Sequence, residues 1–204
     1  MMRGNRRKEK FPWKGKVVFF ATGNIHKFHE AASILTGLDI AVGMLRVKDT
    51  EIQSDSLVEI AQASVRDVFK RCSLPVIVED AGLFINALKG FPGPYAAYAY
   101  KTIGNKGLLK LMENVKNRKA QFRSAIVYCD SKAEVPIVFK GEANGEITVA
   151  ERSGSGKSGF GFDPIFQPDG SAKTFAEMTL EEKNGFSHRA KAVRNFAEWY
   201  KKLQ

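Results

Sequence analysis

The sequence predicts an α/β protein built on a mixed sheet, and three observations carry that expectation. Apolar, β-rich runs alternate with helically spaced stretches through the first half of the chain. Two long strand-like runs then follow one another with no helix between them. A helical stretch closes the chain. Alternation first and a hairpin afterwards is the pattern of a sheet that is parallel at one end and antiparallel at the other.

The elements can be justified in order. KVVFFAT (16–22) is a buried-strand run that turns at Gly23-Asn24. Phe28, Ala31, Ala32 and Leu35 then keep i, i+3, i+4, i+7 spacing on a helix stopped by Gly37. DIAVGMLRV (39–47) is a second strand, and Ser56 with Glu59 makes a capping box. The helix behind it turns Ile60, Ala61, Ser64, Val65 and Val68 inward. LPVIVED (74–80) is a strand followed by a turn-rich crossover, GLFINALKGFPGPY, and a short helix, GLLKLMENV. AQFRSAIVYC and VPIVFKGEANGEITVA are long antiparallel strands. A final helix from Ser187 buries Val193, Phe196, Ala197 and Tyr200.

Composition bounds the function. The chain has 204 residues, 44% apolar and 26% charged, ordinary values for a soluble globular protein. Residues 16–204 are expected to form one domain, preceded by a basic arm, 1–15, expected to be solvated and disordered. No apolar run approaches a membrane span. Residues 1–16 carry +6 of the net charge of +10. The basicity is therefore mostly the arm, with no aromatic-interleaved groove behind it, so no specific nucleic-acid partner is expected. Cys72 and Cys129 stand far apart in sequence with no C-x-x-C, which points to a reducing, cytoplasmic setting rather than a disulfide or zinc framework.

GSGKSG (154–159) fits both a dinucleotide fingerprint and the tail of a P-loop. Neither suits its context. The glycine a P-loop needs five residues earlier is Glu151, whose carboxylate would repel phosphate. No helix can open in the FGFDPIF that follows, because Gly161 and Pro164 break it.

Three other segments are better candidates. TGNIHK (22–27) joins a strand to a helix N-terminus, an anion site with Asn24 as cap and Lys27 one turn in. Glu79-Asp80 stands at the end of a buried strand, where open α/β sheets place ligands, and on a strand at most one of the two faces the cleft. A loop or cap carboxylate is the competing account. Glu51, after the second strand, is a possible second carboxylate, and hard oxygens of this kind suit Mg²⁺. In EEKNGFSHR (181–189), Lys183, His188 and Arg189 stand just before or within the first turn of the last helix. Cations there oppose the helix dipole, which hints at a compensating anionic or electron-rich ligand.

Taken together, TGNIHK (22–27), VEDAGLFINALKGFPGPY (78–95), KTIGNKGLL (101–109), FGFDPIFQPDG (160–170), TFAEM (174–178) and EKNGFSHRAKA (182–192) resemble the inosine triphosphate pyrophosphatase family. That family cleaves nonstandard purine nucleoside triphosphates. The resemblance runs from about Val17 to the C-terminus; TEIQ around Glu51 is its loosest part, and the basic arm departs from it. It implies an elongated fold with two lobes around a central substrate cleft, a homodimer, and Mg²⁺. It assigns Thr22, Gly23, Asn24, Ile25, His26 and Lys27 to phosphate, with Lys183 joining them. Asp80 becomes general base and metal ligand, Glu51 a further metal ligand, and Ala81 a substrate contact. Phe160, Gly161, Phe162 and Asp163 line the base pocket, and His188 and Arg189 meet the purine edge. A pyrimidine-directed pyrophosphatase is the alternative.

Overall fold

The computed structural model describes residues 16–47, 52–131, 135–154 and 159–203. The basic arm, Glu51 and Lys157 lie outside the described residues. The strands are β1 (Lys16–Ala21), β2 (Ile40–Leu45), β3 (Val76–Ile85), β4 (Pro92–Gly93), β5 (Lys119–Cys129), β6 (Ile137–Ile147) and β7 (Phe166–Pro168). The helices are α1 (Ile25–Thr36), α2 (Leu57–Cys72), α3 (Ala96–Thr102), α4 (Gly104–Leu111), α5 (Leu180–Phe186) and α6 (His188–Lys202).

The sheet is mixed, as expected. Its order is β2-β1-β3-β5-β6-β7, with β4 beside β3. β1 is parallel to β2 and β3, and every other pairing is antiparallel.

β3 departs from expectation in a way that matters. It does not end at Asp80 but runs on through the supposed crossover to Ile85, paired with β5 along its whole length. On its other edge the partner changes. β1 pairs with Val76, Ile77 and Val78, and β4 pairs with Leu83 and Phe84. Residues 79–82 therefore have a strand on one side and an open edge on the other, just past the turn that ends β1.

Side-chain alternation sorts three cores around this gap. On one face α1 and α6 cover Phe20, Ile77, Ile126 and Tyr128. Further along the same face, Leu83, Ile85 and Phe122 pack with α3, α4, Phe162, Phe166 and Phe175. α2 covers the opposite face through Val76, Val78 and Val127. Glu79 and its neighbour across the strands, Ser124, share the first face and fall at the seam between its two cores. Asp80 points to the α2 side.

Two local expectations need correction. Ser56 caps α2 by accepting the Glu59 N–H, but the Glu59 carboxylate accepts from Ser54 Oγ rather than closing a capping box. The nearby hydroxyl outcompetes the cap's main-chain N–H. Lys183 stands before the last helix, as expected, but on a separate helix, α5, capped by Thr179 with a true capping box, where no element was expected.

Candidate active site

The turn after β1 is built by side chains closing on main chain. Asn24 N–H donates to Thr22 Oγ1 at 3.1 Å. Asn24 Oδ1 accepts from His26 N–H at 2.9 Å and Lys27 N–H at 3.3 Å, fixing the start of α1. Among the described residues, the N–H groups of Gly23 and Ile25 donate to no protein atom. They are the donors an anion at this helix end would take. Lys27 reaches from the first turn to the open edge of β3, where its Nζ lies 3.0 Å from Glu79 Oε2 and donates to the Glu79 carbonyl at 3.3 Å.

Behind the turn, the seam is filled by charge. Glu79 accepts from Ser124 Oγ at 2.8 Å and from Arg189 Nε at 2.9 Å. Arg189 also donates from Nη1 to Glu30. Glu30 accepts from Lys183 Nζ at 2.6 Å, and Lys183 bonds Asp163 Oδ2 at the same distance. Three carboxylates thus meet three cations, and all but Lys27 are buried.

Desolvation works against each charge, and only pairing can offset it. Burial opposes ionisation of Glu79, but Arg189 and Lys27 overcome it and hold the carboxyl well below the usual range. Glu30 is held low in the same way by Arg189 and Lys183. Asp163 shifts upward because burial outweighs Lys183. His188 is kept neutral by burial and by the neighbouring Arg189. Its ring lies flat on Phe122, with centroids 4.7 Å apart and an interplanar angle of 8°.

The structure brings Asp163, Lys183 and Arg189 together around Phe160, ties Lys27 to them through Glu79, lays His188 on Phe122, and sets Asp80 and Ala81 on the open stretch of β3. Two expectations change. The dipole mismatch at the start of α6 is answered within the protein, since Glu30 and Glu79 compensate Arg189. Lys183, expected at phosphate, is only 1% exposed and stands with Arg189 at the Phe160 end of the cluster. Asp163 also turns inward: besides Lys183 it accepts the Phe160 N–H at 2.8 Å, which closes the FGFD turn. A single 3-10 turn at Asp163–Ile165 follows, then β7, so no helix opens behind Gly159 for a P-loop. Gly161 takes φ +61°, which a side chain would resist.

Glu30 and Ser124 were missed from sequence. Glu30 had a signal, because Lys27, Glu30 and Ile34 follow helical spacing and put a carboxylate at the rim of the α1 core face. Ser124 had none. Gly141 was missed as well. A Cβ there would lie 2.1 Å from His188 O and 2.5 Å from Ala192 N, so only glycine lets α6 start this close to β6.

An anion-ready helix end, a carboxylate on an unpaired strand edge beside it, and a base-sized aromatic plate backed by paired cations define a nucleotide-type site in a mixed α/β fold. The comparisons agree with this class. The chain belongs to the Ham1 family, whose model matches residues 18–199. Over 184 residues it is 53% identical to a dITP/XTP pyrophosphatase of Methanopyrus kandleri, a match spanning 90% of this chain and 96% of that one. A Thermococcus kodakarensis protein of the same name is 48% identical over 89% of this chain and 96% of its own. Among solved structures, the Staphylococcus aureus Ham1 protein superposes with a TM-score of 0.79 at 30% identity, over 93% of this chain and all of that one.

Proposed function

We propose that this protein hydrolyses ITP, dITP and XTP to the nucleoside monophosphate and pyrophosphate, clearing nonstandard purines from the nucleotide pool. The observation that carries this is one continuous path of contacts. It runs from the α1 helix end through Lys27 and Glu79 to Arg189, Lys183 and the Phe160 plate. A triphosphate laid along the open β3 edge would put its phosphates on the Thr22–Lys27 turn and its base on Phe160. Asp80, half-buried on the stretch of β3 that neither β1 nor β4 pairs, is placed to take the proton of a water attacking the phosphorus next to the nucleoside. Lys27 and the N–H groups of Gly23 and Ile25 would meet charge as it moves onto the departing pyrophosphate.

The names of the relatives support purine over pyrimidine substrates. Mg²⁺ fits the site in its chemistry, since Asp80 offers a hard oxygen beside the phosphate turn and this ion takes one or two carboxylates with substrate oxygens. Asp80, with Glu51 as the second ligand, would hold it. When bound, the ion neutralises phosphate charge and acidifies water. A homodimer belongs to the same proposal. Phe91, Tyr95 and Tyr98 are exposed apolar side chains around β4 and α3, with Tyr98 70% exposed, and exposed apolar patches favour association. A cytoplasmic setting suits the free thiols Cys72 and Cys129.

The test is pyrophosphate release across a panel of nucleoside triphosphates with and without Mg²⁺. Fast release from ITP, dITP and XTP is expected. Release of orthophosphate from ATP instead would overturn the assignment.

A further inference from the structure

Phe160 enters the seam with its main chain already fixed. Its N–H is tied to Asp163, which Lys183 holds in turn. Lys183 Nζ and the Arg189 guanidinium lie 4.9 Å and 5.5 Å from the ring centroid. His26 is the opposite case. It sits exposed at the second position of α1, and only its main-chain N–H is capped. Among the described residues its imidazole makes no hydrogen bond or ion pair. It does rest on Phe160, with ring centroids 5.2 Å apart and planes within 15° of parallel. An anchored aromatic plate thus carries a loose ring in the offset parallel arrangement that a nucleobase adopts on an aromatic side chain.

We infer that His26 is a placeholder for the purine. This rests on Phe160 being the base plate. The imidazole covers the plate while the site is empty, swings off when a base stacks there, and returns as the base leaves. A tethered competitor of this kind weakens binding of every base alike, so it sets affinity and leaves the ratio between bases unchanged. Its benefit falls on product release. The monophosphate keeps the base but has lost the pyrophosphate that helped hold it, and the returning imidazole displaces it more readily.

The experiment is calorimetric titration of inosine monophosphate and, separately, of pyrophosphate into the wild type, His26→Ala and His26→Phe. Removing an aromatic stack of this kind is expected to tighten the monophosphate about two- to tenfold in His26→Ala. His26→Phe keeps a competing ring and should bind the monophosphate no tighter than the wild type. Pyrophosphate, which meets the main chain of the turn, should shift less than about twofold by the same scale. Weaker monophosphate binding by His26→Ala would make His26 a second plate closing over the base, and would overturn the placeholder. An unchanged monophosphate affinity, or an equal shift for pyrophosphate, would overturn it too while leaving Phe160 as the plate. Wild-type protein that binds no monophosphate would sink the base-plate assignment and the placeholder together.

Discussion

Replacing Glu30 with glutamine tests the buried charge cluster most directly. The side chain keeps its shape and loses only its charge, so Lys183 and Arg189 must share Glu79 and Asp163. Arg189 still has Glu79 at 2.9 Å and Lys183 still has Asp163 at 2.6 Å, but two buried cations lose their common anion. Breaking one buried pair by removing a partner costs about 3–5 kcal/mol. A loss of about 3 kcal/mol or more is expected here, a large share of the roughly 5–15 kcal/mol that holds a domain folded. Urea unfolding followed by Trp199 fluorescence measures it, because that indole packs against Tyr128 and Phe139 in the core covered by α6. The pH dependence supplies a second check. The folded-state pKa of Glu30 is depressed, so its contribution is complete above the ordinary carboxylate value and is lost as pH falls through the lowered one. The gap between wild type and Glu30→Gln should therefore stay constant from pH 7 down to about pH 5 and narrow below it. The exposed Asp67–Arg71 pair on α2 serves as the control, and Asp67→Asn should change stability by less than about 1 kcal/mol. A Glu30→Gln loss as small as that of the control, or a gap that widens in acid, would refute the claim that the cluster holds the seam together.

Asp80→Asn should lower turnover by orders of magnitude while nucleotide still binds, since shape survives and the base is lost; near-normal kcat would remove Asp80 from that role. Gly141→Ala should destabilise the fold and depress activity together, because a methyl 2.1 Å from His188 O forces the start of α6, and Arg189 with it, away from β6. Unfolding curves and ITP kinetics on one preparation check this, and a stable variant with weakened activity would show that α6 can shift at little cost. ITP should be preferred over ATP by at least about a hundredfold in kcat/KM, since the 6-amino group would leave buried donors unpaired at about 1–3 kcal/mol each. GTP should also be poor, because the Phe160 N–H and Lys183 both hold Asp163 Oδ2 and fix the carboxylate in the FGFD turn, where it is not free to swing onto the guanine edge. A GTP rate comparable with ITP would place Asp163 there after all.

Local chemistry made much of this protein legible without coordinates. Asn24 and Ser56 marked helix starts because caps act over three residues. Periodicity exposed the core faces of α1, α2 and α6, because burial repeats with the helix. The same locality explains the rejection of GSGKSG, since Pro164 and Gly161 forbid the helix that a phosphate loop needs. Tertiary structure alone decided what β3 does after Asp80: nothing nearby in sequence says that β5 will hold Val76–Ile85 throughout while β1 and β4 leave residues 79–82 open between them. It also decided who answers Arg189. A cation at a helix N-terminus implies a missing anion, but sequence cannot tell a ligand's phosphate from Glu30, 159 residues away, or Glu79, 110 away. Charges find partners through space, and only the packing of α1 and α6 on one face of the sheet brings these within reach.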